Sequence, residues 1–240
     1  MTTSLFIPTI PKHIKYLCRL LRSIKVGTIQ PDEIIISISD YNSCDKEMIN
    51  YIENKYKDII IIKNDKPLNS GPNRQLSKIY CNSDIIIYHD SDDISHPQRI
   101  EIIKYFFENY DILHLNHACS RDDEINEFVN IEIKNIKITK SDVIYKKYFP
   151  NNNINDCLKI TNSYGSEFLS KGEHSCCGPM AIKKEVLNII KWKDRLELKH
   201  SPDWNDLLYK GAEDYEFCMD VLFNLKKSMI INPKIYVYYR

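Results

Sequence analysis

Glycine is scarce in this chain, with 6 residues in 240, which excludes collagen-like and glycine-rich architectures. Long apolar runs are missing as well. The longest, Ile59 to Ile62 and Ile85 to Tyr88, are strand-sized and far short of a membrane span, so no transmembrane segment is expected. The start, Met1-Thr2-Thr3-Ser4-Leu5-Phe6-Ile7-Pro8, lacks the basic region and apolar stretch of a secretory signal. Nor is there a surplus of either charge: 33 Lys and Arg balance 33 Asp and Glu, which argues against a partner with a phosphate backbone and so against nucleic acid. None of the 8 cysteines forms a Cys-x-x-Cys pair, and without a signal they are expected as reduced thiols in a cytoplasmic protein. The neighbours Cys176-Cys177 near His174 resemble a metal-site fragment, but adjacent thiols rarely bind one ion, so a structural role is the expectation.

What is present fits one globular domain over residues 1–240. Hydrophobic residues reach 43% and charged residues 28%, enough to bury a core without staples. Strand and helix signals alternate through the first half. Ser4 to Ile7 reads as a strand ended by Pro8, and His13 to Ile24 as a helix through Ile14, Leu17, Cys18, Leu21 and Ile24. Glu33 to Ser39 is a second strand and Lys46 to Tyr56 a second helix. Ile59 to Ile62 is a third strand, whose β-branched run predicts burial on both faces. Pro72 to Cys81 reads as a helix, Ile85 to Tyr88 as a fourth buried strand, and Gln98 to Asn109 as a further helix. This β-α succession predicts an α/β fold: a Rossmann-like, mostly parallel sheet with helices on both faces. From Asp111 the pattern loosens into a smaller, irregular region. It holds a strand at Ile112 to Asn116, edge strands or a hairpin within Glu132 to Thr139, helices over Gly178 to Lys191 and Glu213 to Leu225, and a closing strand at Ile235 to Tyr239. No repeat or linker divides it.

In parallel sheets ligands bind at the carboxyl ends of strands. The fourth strand ends in His89-Asp90-Ser91-Asp92-Asp93, where three close carboxylates repel unless a positive group sits among them. A hard divalent cation such as Mg²⁺ or Mn²⁺ is one remedy, and a solvated turn capping the next helix is the plain alternative. An EF-hand is excluded: Glu101 fits its twelfth position, but Ile94 and Ser95 stand where an oxygen ligand and a glycine are needed. After the third strand comes Asn69-Ser70-Gly71-Pro72-Asn73-Arg74, where Gly71 permits a tight turn and Arg74 reaches a base or a phosphate, or is merely a surface arginine. The second strand ends at Asp40 and the first at Pro8-Thr9. Four successive strand ends thus carry a ligand-capable residue.

With these residues in order, the chain resembles a GT-A glycosyltransferase, closest to the family 2 type. Ile7-Pro8-Thr9 resembles that family's first strand end, Glu33 to Asp40 its second, and Asn69 to Gln75 its glycine- and arginine-bearing segment. Asp90-Ser91-Asp92-Asp93 resembles its DxD motif, with Pro97 and Arg99 following, and Gly211-Ala212-Glu213-Asp214 its Glu-Asp motif. The likeness is good over residues 4–110 and loose over 170–225. It implies a metal-dependent inverting transferase using a nucleotide-diphosphate sugar, most simply a UDP-sugar. Residues 1–110 would bind the donor; residues 111–240 would bind a glycan, protein or small-molecule acceptor and carry the base.

Site roles follow from the same resemblance. Pro8, Thr9, Asp40, Asn69, Gly71, Asn73, Arg74, Asp90 and Ser91 would hold the nucleotide sugar. Asp92, with Asp90, would bind Mn²⁺ or Mg²⁺, a Lewis acid for the departing diphosphate. Asp214 would be the general base, with Glu213 orienting the acceptor or substituting for it; the plain reading of this pair is a charge-stabilised helix start. The chain departs from the family in having no His after His200 to complete a metal site. Gly172 to Gly178 lies where the acceptor lip is expected, and Trp192 and Trp204 suit either a sugar ring or the core. Two other readings compete: a nucleotidyltransferase, disfavoured because Pro8-Thr9-Ile10-Pro11-Lys12 has no glycine, and a catalytically silent nucleotide-sugar or glycan-binding module.

Overall fold

The computed structural model describes residues 1–121, 128–140, 180–194 and 212–238. Its strands are β1 (Thr3–Thr9), β2 (Glu33–Ile38), β3 (Ile59–Lys63), β4 (Ile85–Tyr88), β5 (Ile94–Ser95), β6 (His114–Arg121), β7 (Ile138–Lys140), β8 (Ala181–Lys183) and β9 (Ser228–Tyr238). The helices are α1 (Leu17–Lys25), α2 (Lys46–Lys55), α3 (Ser70–Gln75), α4 (Ser77–Tyr80), α5 (Arg99–Asn109) and α6 (Ala212–Leu225). Among the described residues the strands form one sheet in the order β3-β2-β1-β4-β8-β6-β9-β5, with β7 also on β9. The first four are parallel throughout. β8 runs antiparallel to β4 and β6, and β9 runs parallel to β6 but antiparallel to β5 and β7.

Side-chain alternation in the strands builds two cores. Leu5, Ile7, Ile36, Ile38, Ile85 and Ile87 face one way, against Leu17, Leu20, Leu21 and Ile24 of α1, Ile49 and Ile52 of α2, and Ile102, Ile103 and Phe106 of α5. Phe6, Ile35, Ile86 and Tyr88 face the other way, against Trp192 and against Phe217, Cys218 and Val221 of α6. The period of two therefore explains why helices cover both faces. Among the described thiols, Cys81 and Cys218 are buried in this second layer.

Several expectations need correction. Ile59 to Ile62 is not buried on both faces: β3 is the outer strand and Ile60 is 45% exposed, because a β-branched run fits an edge as well as a centre. The helix expected over Gly178 to Lys191 is instead β8 followed by a 3-10 turn at Lys184–Asn188. The closing strand begins at Ser228, well before Ile235. Pro72 to Cys81 is two short helices, and His13 to Ile24 starts as a 3-10 turn at Pro11–Tyr16. The Gly172 to Gly178 segment, Cys176-Cys177 and Trp204 lie outside the described residues. No described helix is long and apolar enough to cross a membrane.

Pro8 does not end β1; it lies inside it, paired with Ser37 of β2. On its other side β1 pairs with β4 only as far as Phe6 and Tyr88, so Pro8 and Thr9 stand beyond that contact. A residue with no N–H to donate is tolerated there. The two central strands thus part at their carboxyl ends, where the strand order reverses, and a crevice opens between them.

Candidate active site

The crevice has a volume of about 420 Å³ and is lined by Pro8, Thr9, Ile10 and His13 from β1 and the turn after it, by Leu68 to Ser70, Asn73 and Arg74 from the α3 region, and by Asp90, Ser91 and Asp92 beyond β4. That size suits a small-molecule or cofactor site. Asn73 anchors α3 to the sheet, its side-chain N–H₂ donating to the carbonyls of Ser37 (3.2 Å) and Thr9 (3.5 Å). Gly71 serves a close approach and not the expected tight turn: a Cβ there would lie 1.9 Å from the Lys193 carbonyl oxygen. Asn69 donates to Asp194 at 2.9 Å.

Arg74 is the centre of the site. Its Nη2 donates to Asp90 Oδ1 at 2.8 Å and its Nη1 to Glu213 Oε1 at 2.9 Å, although only 5% of the residue is exposed. Burial opposes its charge, but Asp90, Asp214 and Glu213 outweigh that and raise its pKa, so the guanidinium stays ionised. It rests 5.2 Å from the centre of the Trp192 ring. Trp192 is a core residue and not a sugar platform: it stacks on Phe217 at 4.1 Å and donates from Nε1 to the Tyr88 hydroxyl at 2.9 Å. Buried aromatic packing of this kind fixes the height of the guanidinium above the sheet.

The structure therefore gathers Pro8, Thr9, Asn69, Asn73, Arg74, Asp90, Ser91 and Asp92 at one opening, with Glu213 joined through Arg74 and the half-buried Asp214 close enough to add to the Arg74 field. Gly71 packs behind that wall. Asp40 is not among the lining residues; it follows β2 in a left-handed conformation (φ 52°), which Asp adopts more readily than most residues. The hydroxyl of Thr9 and the side-chain oxygen of Asn73 are buried without a described partner.

His13 was not singled out by sequence. Its Nδ1 is 3.5 Å from Asp92 Oδ1, while Arg19 Nη2 donates to the Asp92 carbonyl. The signal available was its place just past the first strand end, where a 3-10 turn aims it back at the crevice. Burial lowers the His13 pKa, opposed by Asp92 and assisted by Lys12.

No group of three His, Cys, Asp or Glu side chains among the described residues is placed to hold a metal ion, so they form no closed metal cage. The donors at the mouth do fit an open site for a hard cation. Asp92 keeps a carboxylate that is 32% exposed, and Asp90 commits Oδ1 to Arg74 but has a second oxygen. Mg²⁺ and Mn²⁺ accept few protein oxygens and complete their shell from water and phosphate.

The profile of glycosyl transferase family 2 matches residues 4–187. The chain belongs to this family. An uncharacterized glycosyltransferase of Methanocaldococcus jannaschii is 29% identical over 237 residues, covering 94% of this chain and 73% of the relative. In fold the chain is similar to residues 1–349 of S. aureus TarS, with a TM-score of 0.64 at 14% identity over 100% of this chain, which spans 60% of that one. It is also similar to glucosyl-3-phosphoglycerate synthase of Mycobacterium tuberculosis, solved with Mn²⁺, UDP and glucosyl-3-phosphoglycerate. That match has a TM-score of 0.59 at 15% identity and covers 100% of this chain and 72% of that one. The architecture is the GT-A glycosyltransferase fold, and this family 2 chain is a transferase.

Proposed function

We propose that this glycosyltransferase moves a sugar from a nucleotide-diphosphate donor, a UDP-sugar, to an acceptor hydroxyl with inversion and with help from Mn²⁺ or Mg²⁺. The observation that carries this reading is Arg74 tying Asp90 and Glu213 together at the crevice where β1 and β4 part. A TarS structure with UDP-GlcNAc, which has a TM-score of 0.62 to this chain, supports the donor class. Residues 1–110 form the donor half. Thr9, Asn69, Asn73 and Ser91 bind the nucleoside side, with Asp40 outside that lining, and Gly71 keeps α3 low enough to leave room. Arg74 holds Asp90 in line and lends the crevice positive potential.

Asp92 and the second oxygen of Asp90 would hold the cation, which when bound would neutralise charge on the departing diphosphate. Asp214 accepts the proton of the acceptor hydroxyl as that oxygen bonds to the anomeric carbon from the face opposite the departing diphosphate. The bond from the anomeric carbon to the diphosphate oxygen breaks, the electron pair leaves with the diphosphate, and no enzyme nucleophile is consumed. Glu213 gives Oε1 to Arg74 and so holds that guanidinium in place beside the base.

The test is UDP release from a panel of UDP-sugars with Mn²⁺ and an acceptor library. Asp92→Ala and Asp214→Asn should each lose about 100-fold or more, the scale of a lost general base or cation ligand. Full activity in either variant overturns that residue's role. Tight UDP binding without turnover of any donor would make the chain a silent binding module.

A further inference from the structure

Asp93, the third carboxylate of the acidic loop, has no part in the scheme above. It is 5% exposed and turned away from the crevice, toward a buried polar layer under the loop. Tyr236 of β9 reaches into that layer. Its hydroxyl donates to Asp93 Oδ2 at 2.8 Å and accepts from the backbone N–H of Asp90 at 3.1 Å. One atom therefore holds both ends of the Asp90–Asp93 loop. The ring is fully buried, packed against His89 at 4.6 Å and lying 5.2 Å from the Arg99 guanidinium. His89 Nδ1 donates to the Asp90 carbonyl at 2.8 Å. Arg99 donates from Nη2 to the Tyr88 carbonyl (2.8 Å) and from Nε to His117 Nε2 (3.2 Å), so the floor under the tyrosine is itself fixed.

The backbone reinforces the grip. The loop runs from β4 straight into β5, and β5 pairs with β9 through Ile94↔Val237 and Ser95↔Tyr236. We propose that Tyr236 is the positioning residue of the cation site: its hydroxyl turns Asp93 inward and sets the Asp90 backbone, so that of the loop's three carboxylates only Asp90 and Asp92 face the crevice. The proposal rests on the donor reading above. Groups that orient metal ligands without touching the metal commonly control its affinity.

The experiment is a Mn²⁺ titration followed by electron paramagnetic resonance, with and without UDP, alongside the Mn²⁺ dependence of UDP release. Tyr236→Phe keeps the ring and removes only the hydroxyl, and should weaken Mn²⁺ binding about 10-fold to 100-fold. Nucleotide binding without metal should not change. Asp93→Ala removes the acceptor and should lose as much, whereas Asp93→Asn, whose amide oxygen still accepts from the tyrosine, should lose less than about threefold. Ile49→Val in remote α2 reports loosening of the fold in general and should leave Mn²⁺ affinity unchanged. Wild-type affinity in Tyr236→Phe, an equal loss in Ile49→Val, or Asp93→Asn falling as far as Asp93→Ala would each overturn the proposal alone. If Tyr236→Phe does not fold, the two Asp93 variants decide it. A wild-type protein that binds neither Mn²⁺ nor UDP would take down the donor reading and this proposal together.

Discussion

Arg74 Nη1 and Glu213 Oε1 lie 2.9 Å apart although 139 residues separate them, and both side chains are buried. The pair joins α3, beside the first strands of the sheet, to the first turn of α6, so the two halves of the site share one charge-assisted contact. Because Nη2 of the same guanidinium binds Asp90, the contact is a three-residue relay and not a simple ion pair.

Removing its middle member should therefore be costly. Arg74→Ala leaves Glu213 buried beside Asp214 without its cation, a class of change that costs about 3–5 kcal/mol. Arg74→Lys, a point charge in place of a planar fork, should keep one partner and recover only part of that loss. Urea unfolding measures both variants.

Gly71→Ala should destabilise the protein by about 1–3 kcal/mol, the usual cost of forcing atoms into filled space. The added methyl would meet the backbone carbonyl of Lys193 at 1.9 Å, and a backbone atom cannot swing aside as a flexible side chain would. Thermal unfolding checks the loss, and a crystal structure of the variant should show α3 displaced outward.

Trp192→Ala should cost about 3–5 kcal/mol, the range for an aromatic removed from a core. Trp192→Phe keeps the stack on Phe217 but drops the hydrogen bond to Tyr88, and should cost less. A residue that only gripped a sugar would leave stability untouched and raise KM, so denaturation curves separate the two roles.

Acid should begin to weaken the fold through buried histidine, starting near the ordinary histidine value. His114 is buried against Ser228 and Cys218, and burial pushes its pKa down to about 4 from 6.5. The unfolded chain takes up this proton first, so the stabilisation is complete above about pH 6.5 and fades as pH falls through the folded value. His89, held well below its ordinary value by burial and then by Arg99, acts in the same direction. The urea midpoint should drop between about pH 7 and pH 4.5, with a shallower slope in His114→Asn.

Much of the crevice was legible because its physics is local. Isoleucine runs flanked by Pro31, Gly71 and Pro97 mark strand boundaries, and the polar residues that follow them fall at the crevice by the rule for parallel sheets. What depends on neighbours was not legible. A β-branched run cannot say whether its strand is central, and β3 is at the edge. β6 reads as polar, His114 to Arg121, because its buried His114, Asn116 and His117 are satisfied by bonds that only the fold supplies. Its partner β9 shifts register after His117 and again after Ala118, which breaks the alternation a reader looks for. Tyr236 was visible only as one aromatic among 16 tyrosines.

The dependence of the acidic loop on β9 has a bearing on biosynthesis. While a ribosome is still adding residues 228–238, β5 has no strand to pair with and Asp93 no hydroxyl to accept from. The early strands β1 to β4 can associate as soon as they emerge, but the mouth of the crevice acquires its shape last. On the proposal above, the cation ligands are therefore held in place only once translation has passed Tyr236.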